Sequence, residues 1–237
     1  MKRRAKQALE LSSQPLLLLL DTSTPTCVCG LSRGETLLAE TTLAISNGHS
    51  EHLAGIVDHL LQLFNNTVHD IEAIALSAGP GSFTGLRIGY SYAKGLAHAA
   101  NLPIIEIPTL QLWASEYTSS KRIMMPVVDA RRGDIYTALY RNEQEKLISI
   151  KPPQILAIAD ITTFISEPVS CIGGAASSLQ EVLAPALPEG SEILRSSSQV
   201  PHASVLAKLA HTSFSTSTFS DVAECEPHYM RPFQGIM

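Results

Sequence analysis

The sequence predicts an α/β protein in which one βββαβα unit occurs twice, giving two subdomains. Two apolar runs that each close on an acid, Leu16–Leu20 before Asp21 and Ile123–Val128 before Asp129, mark the first strand of each copy. Between them the apolar spacing changes from strand alternation to the i, i+3, i+4, i+7 series of an amphipathic helix. A glycine turn, Gly79-Pro80-Gly81, then joins a strand to a second helix, as crossover connections require.

Each element follows from its residues. Leu16–Leu20 is apolar without alternation, as a strand covered on both faces must be. Thr26–Ser32 and Thr36–Ala44 read as the next two strands, with Arg33-Gly34 as their turn. Leu53, Ile56, Val57, Leu60, Leu61 and Phe64 form one helical stripe, with Ser50 and Glu51 suited to the first turn. Ile71–Ser77 is a strand, a helix runs from about Thr84 to Ala100, and Leu102–Ile107 returns as a strand. In the second half, Ile123–Val128 leads through the turn Arg131-Arg132-Gly133 to strands Ile135–Tyr140 and Lys146–Ile150. A weak helical stretch, the strand Val169–Ile172 with Gly173-Gly174, and helices near Ser177–Leu183 and Ser204–Thr212 complete it. Two such copies are the layout of the actin-like (ASKHA/RNase H-like) folds, the group that includes Hsp70 and sugar kinases. The expected division is a basic tail over 1–13, a first subdomain over 14–108 joined by 222–237, and a second over 109–221.

Hydrophobic residues make up 45% of the chain and charged residues 16%, an ordinary globular balance. The formal charge is −5, and Lys2, Arg3, Arg4 and Lys6 lie together at the start. The body beyond them holds 13 basic against 22 acidic residues, a net −9. Phosphate backbones are held mainly by cations that displace counterions, so a body this acidic binds nucleic acid poorly by itself. No apolar run approaches the roughly 20 residues of a membrane span. Leu16–Leu20, with Asp21 directly after it, is a buried strand rather than a signal-peptide core. Cys27, Cys29, Cys171 and Cys225 show no CxxC pairing, which fits a reducing, cytoplasmic setting. Cys27 and Cys29, two apart, share a strand face and are expected to pack as small apolar groups.

Three motifs could carry chemistry. Asp21-Thr22-Ser23-Thr24 closes a strand at the end where open α/β sheets bind ligands, and a carboxylate with hydroxyls there could hold hydrated magnesium and phosphate oxygens. The same residues equally cap a tight turn. Ser77-Ala78-Gly79-Pro80-Gly81-Ser82-Phe83-Thr84-Gly85-Leu86-Arg87 is a strand–loop–helix junction. Its glycines and free helix N–H groups suit an anion, or a sharp turn at positive φ. It is not a Walker loop, because Leu86 stands where that pattern has lysine. Gly85, Gly89 and Gly95 recur along the following helix and would let another helix approach closely, making it a candidate interface. In His49-Ser50-Glu51-His52 the histidines are at i, i+3, and Leu53 occupies the i+4 position of an HExxH pair, so no metal is expected.

Asp21-Thr22-Ser23-Thr24, His49-Ser50-Glu51, the run Gly79–Gly89, Asp129-Ala130-Arg131-Arg132 with Tyr136, and Pro227-x-Tyr229-x-Arg231 together resemble the TsaB (YeaZ) family. That family is the smaller actin-like partner in bacterial tRNA threonylcarbamoyladenosine synthesis. The resemblance runs from Leu16 to Arg231, and Gly79–Gly89 is its specific part. It implies no catalytic residue, cofactor or metal in this chain. Asp21, Thr22, Ser23, Gly79, Gly81 and Ser82 are then degenerate remnants of a nucleotide site. It further implies that the chain binds and activates a larger paralogue, TsaD. That paralogue carries the metal and transfers threonylcarbamoyl to the adenosine beside the anticodon of tRNAs reading codons that begin with adenine. The ATPase TsaE joins the assembly, tRNA is met only through the complex, and the free chain is expected to form a homodimer through first-subdomain helices. Thr84, Arg87, Gly89, Tyr90, Lys94 and His52 are the expected partner interface. Two readings compete: an actin-fold kinase or ATPase acting alone through Asp21 and the Gly79–Gly85 loop, and a metallopeptidase.

Overall fold

Five strands form a sheet in each half, in matching order. The computed structural model describes residues 11–44, 48–117, 120–144, 146–194 and 202–231. Most of the expected tail, residues 1–10, therefore lies outside the described residues, and Leu11 and Ser12 at its end are helical. Strands β1 (Leu16–Asp21), β2 (Thr26–Arg33) and β3 (Thr36–Ala44) form an antiparallel meander. Helix α1 (His49–Leu63) leads to β4 (Ala73–Gly79), which pairs parallel with β1, and α2 (Phe83–Ala100) leads to β5 (Ile104–Pro108). The sheet order is β3-β2-β1-β4-β5.

Helix α3 (Thr109–Ser115) precedes the second sheet. There β6 (Ile123–Arg131), β7 (Asp134–Glu143) and β8 (Lys146–Ala157) repeat the meander. After α4 (Ile161–Phe164), β9 (Val169–Ile172) pairs parallel with β6; α5 (Gly174–Ser178), α6 (Gln180–Leu183) and β10 (Glu192–Ile193) follow. Read from its meander edge, this sheet runs β8-β7-β6-β9-β10, the order of the first. The topology is the duplicated actin-like fold. The weak helical stretch expected between Ile150 and Val169 is the short α4, entered by a tight turn over Ile158–Asp160; it starts late because β8 runs past Ile150 to Ala157.

The final helix, α7 (Ala203–Ser215), alters the expected division. One unit comprises the chain up to Ala78, Ser82–Ile107 and His202–Pro227; the other comprises Gly79–Gly81, the 108–194 segment and 228–231 among the described residues. Helix α7 was expected in the second subdomain, yet its buried Ala203, Leu206, Ala207 and Ala210 lie on β1, β2 and β3. Gly30 permits this: a Cβ there would sit 3.1 Å from the Ala203 Cβ. Glu40 Oε2 also accepts the Ala203 N–H at 3.2 Å. The unbroken leucines of β1 follow from that cover. Leu16, Leu18 and Leu20 join the core with Leu53, Val57 and Leu60 of α1 and Tyr90 of α2, while Leu19 lies beside Gly30 on the α7 side. The second unit has its own clusters, one around Met125, Val127, Ile135, Phe164 and Cys171, another around Trp113, Met124 and Tyr140. Among the described residues, no helix is long and apolar enough to cross a membrane.

Candidate functional site: a filled strand turn beside an open helix groove

The end of β1 carries the first predicted motif. Asp21 is 1% exposed, Thr22 3% and Ser23 1%, so the strand end is closed to solvent. Asp21 Oδ1 accepts the Ser23 N–H at 2.9 Å, the Ser23 hydroxyl at 2.7 Å and the Ser77 hydroxyl of β4 at 2.5 Å. The second oxygen, Oδ2, has no hydrogen-bond partner among the described residues. The carboxylate thus organises its own turn and ties β1 to β4. Thr24 does the same next door, its hydroxyl accepting the Thr26 N–H and donating to the Thr26 carbonyl.

The loop–helix junction closes over that turn. Ser82 caps α2, its hydroxyl accepting the Gly85 N–H at 3.2 Å, and its own N–H donates to Ser23 O at 2.7 Å. A Cβ on Gly85 would stand 2.1 Å from Thr22 O, and one on Gly89 2.3 Å from Thr22 Oγ1. The first turns of α2 therefore lie in contact with the β1–β2 turn. Gly79, at φ +103, donates its N–H to Thr109 Oγ1 at 3.1 Å, and with Gly81 it groups with the second unit. Of the expected nucleotide-site remnants, Asp21, Ser23 and Ser82 are hydrogen-bonded in series, and Thr22 lies against Gly85 and Gly89 beside them.

The expected interface residues separate into two groups. Gly89 and Tyr90 are buried inside the first unit, Gly89 against Thr22 and Tyr90 donating its hydroxyl to Glu106 of β5. Lys94 donates to the carbonyls of Ala223 and Cys225 at 3.0 and 3.1 Å, fastening the C-terminal segment to α2. Gly89 and Tyr90 thus lie inside the unit rather than on its surface, the helix glycines at 85 and 89 admitting a turn of the same chain, while Lys94 stays half-exposed. Gly95 has open space around it.

Thr84, Arg87 and His52 are exposed. Thr84 and Arg87 line a groove of about 530 Å³ between α1 and α2, with Ser50, Ala54, Phe83, Ile88, Ser91 and Tyr92. The Arg87 guanidinium stacks on the Phe83 ring at 4.0 Å, a cation–π contact that keeps it on the groove wall. Burial, then the nearby Cys29 and Asp58, push the Tyr92 phenol up to about 12, so it is neutral there. His52 opens on the other side of α1, towards Thr41 and Leu43 of β3. Sequence reasoning missed Ser50, Ile88 and Ser91. The signal for Ile88 and Ser91 was the i, i+3, i+4, i+7 spacing of residues 84, 87, 88 and 91 on the face opposite the glycines; Ser50, on α1, had no such signal.

His49 is buried at the start of α1 and His52 is exposed, so the pair does not converge. Among the described residues no three His, Cys, Asp or Glu side chains are grouped to hold a metal. Cys27 and Cys29 are buried on one face with sulfurs 3.8 Å apart. Their shared hydrogen bond pushes the Cys27 thiol down and the Cys29 thiol up, and burial raises both.

The chain is similar to known proteins. The family model for TsaD, tRNA N6-adenosine threonylcarbamoyltransferase, matches residues 37–232. The Bacillus subtilis tRNA threonylcarbamoyladenosine biosynthesis protein TsaB is 30% identical over 91% of this chain and 93% of its own length. The Escherichia coli protein of the same name is 34% identical over 54% of this chain and 56% of its own. The solved structure of YeaZ from Pseudomonas aeruginosa superposes with a TM-score of 0.77 at 23% identity, covering 91% of this chain and all of that one, which shows the fold. A TsaB relative 30% identical and aligned over 93% of its own length, together with the family-model match over residues 37–232, shows the family: this chain belongs to the TsaB (YeaZ) family.

Proposed function

We propose that this protein acts in tRNA threonylcarbamoyladenosine biosynthesis as a non-catalytic scaffold that binds and activates a TsaD-type transferase. The observation that carries the reading is the filled β1–β2 turn. An actin-fold kinase needs room at this strand end for phosphate and its cation. Here the Asp21 carboxylate is bonded to Ser23 and Ser77 of its own chain, and Gly85 and Gly89 bring α2 against Thr22. What the first unit offers instead is a helix-walled groove with Thr84 and Arg87 on its rim, a shape that accepts a partner helix. The transferase is the proposed occupant, with tRNA and a TsaE-type ATPase joining through the complex; pairing of two copies at the same face is its counterpart in the free state.

Purified chain, its cognate transferase, a TsaE-type ATPase with ATP, threonylcarbamoyl adenylate as the group donor and unmodified tRNA test the proposal, with threonylcarbamoyladenosine read by mass spectrometry. Modification is expected only when both proteins are present. Thr84→Trp should leave the melting temperature unchanged while weakening the complex at least about tenfold, because the added indole obstructs the groove that the partner helix must enter. Rapid ATP turnover by the isolated chain, abolished by Asp21→Asn, would overturn the scaffold reading in favour of the kinase.

A further inference from the structure

The β6–β7 hairpin holds arginines in backbone conformations that disfavour them. Arg131 pairs with Asp134, leaving Arg132-Gly133 as a two-residue loop with φ +60 and +83. Positive φ at both loop positions is the type I′ pattern, whose first position prefers Asn, Asp or Gly. The ladder also slips between Asp129 and Arg131, and Arg131 takes φ +65 at that bulge. Such bulges usually place glycine at the left-handed residue, and they serve to re-aim neighbouring side chains. Neither arginine is the residue that backbone stability would select.

The charges at this tip do not balance. Asp129 accepts the Arg131 N–H through Oδ1 at 2.7 Å and meets the Arg131 guanidinium through Oδ2 at 3.2 Å. Asp134 takes the guanidinium of Arg231, brought in by the 228–231 segment. Both acids are thereby occupied. Arg132 is exposed and makes no hydrogen bond or ion pair to any described residue. Three arginines face two aspartates, and the remaining positive charge is at the outermost position of the turn.

We infer that Arg132 is a docking contact for a carboxylate of a protein partner. A planar guanidinium receives a carboxylate through two parallel N–H donors, and arginine is enriched where protein surfaces meet. Asp129 holds the bulge, and the bulge holds the loop that carries Arg132. A single uncompensated charge matches a single carboxylate. A nucleic acid would need several cations, and the body of this chain carries −9. The inference rests on the proposed function only in its probes, which are the two proteins of that assembly.

The test uses the full chain with purified transferase and ATPase subunits, in the presence of unmodified tRNA. Arg132→Asn suits the turn better, so it should melt at the same or a higher temperature. It should nevertheless bind one of the two proteins about tenfold more weakly, the loss expected for a charged hydrogen-bonded contact. Arg132→Lys should keep part of that affinity, with a salt dependence like the wild type. A benzophenone amino acid at position 132 should crosslink to the same protein. Unchanged affinity in Arg132→Asn, or crosslinks to tRNA alone, overturns the inference. A wild-type chain that binds neither protein overturns the scaffold reading and the inference together, whereas loss in Thr84→Trp but not in Arg132→Asn overturns only the latter.

Discussion

The β1–β2 and β6–β7 turns hold the same position in two sheets of identical order, yet they have opposite characters. In the first unit the turn is buried, its aspartate is bonded to hydroxyls of its own chain, and a helix presses on it. In the second the equivalent aspartate, Asp129, keeps a 38% exposed side chain and steadies a bulge that carries two arginines outward. The loops themselves differ, residues 22–25 joining β1 to β2 and residues 132–133, after a bulge, joining β6 to β7. What separates them is what packs on top: two glycines of α2 admit contact with Thr22, while the second turn stays open. The first turn therefore contributes stability, and the second is free to contribute recognition.

Gly85→Leu should break this division most severely. Its Cβ would stand 2.1 Å from a backbone oxygen that cannot swing away, so α2 must separate from the turn. Overpacking of this kind costs about 3 kcal/mol or more. A urea titration would register it as a lower midpoint, and an unchanged midpoint would show that the contact is loose. Asp21→Ala comes next. It strands the Ser23 N–H and the hydroxyls of Ser23 and Ser77 in a closed site, at about 2–3 kcal/mol.

How much of this the sequence carried depends on the distance over which each residue acts. The strands and the two first-unit helices were legible because their apolar periodicity is local: the leucines of β1 and the stripe from Leu53 to Leu61 specify burial without naming a neighbour. Helix α7 showed its apolar stripe too, but the stripe does not say which sheet it covers. That is decided by Gly30 and Glu40, far away in sequence. The candidate site behaved likewise. Asp21 at a strand end and Ser82 at a helix start could be read directly. Glycines 85 and 89 announced a close approach without saying whether the approaching atoms belong to this chain, and Thr22 is the answer. The carbonyl partners of Lys94, at Ala223 and Cys225, left no local trace.

Alkaline pH sharpens the comparison from the second unit. Burial pushes the Tyr140 phenol up to about 12 from an ordinary 10.0. A raised folded-state value means the native chain holds a proton that the unfolded chain releases earlier. The stabilisation is complete below pH 10 and is lost as pH rises towards 12. Tyr140→Phe should flatten the fall in stability across that window in denaturant titrations at stepped pH. A slope equal to the wild type would mean that the phenol ionises freely in the folded state.

The smallest expected effect belongs to Asp129→Ala. Its carboxylate and the Arg131 guanidinium, 82% exposed, form an ion pair in water, where such pairs contribute at most about 1 kcal/mol. The hydrogen bond to the Arg131 N–H holds the bulge, so its loss should loosen the hairpin locally rather than unfold the sheet. Global stability should fall by less than about 1 kcal/mol, well short of Asp21→Ala, while amide exchange speeds up at residues 131–134. If the two alanine variants instead cost the same, the second turn is as structural as the first. The contrast between a turn that stabilises and a turn that recognises would then have no physical basis.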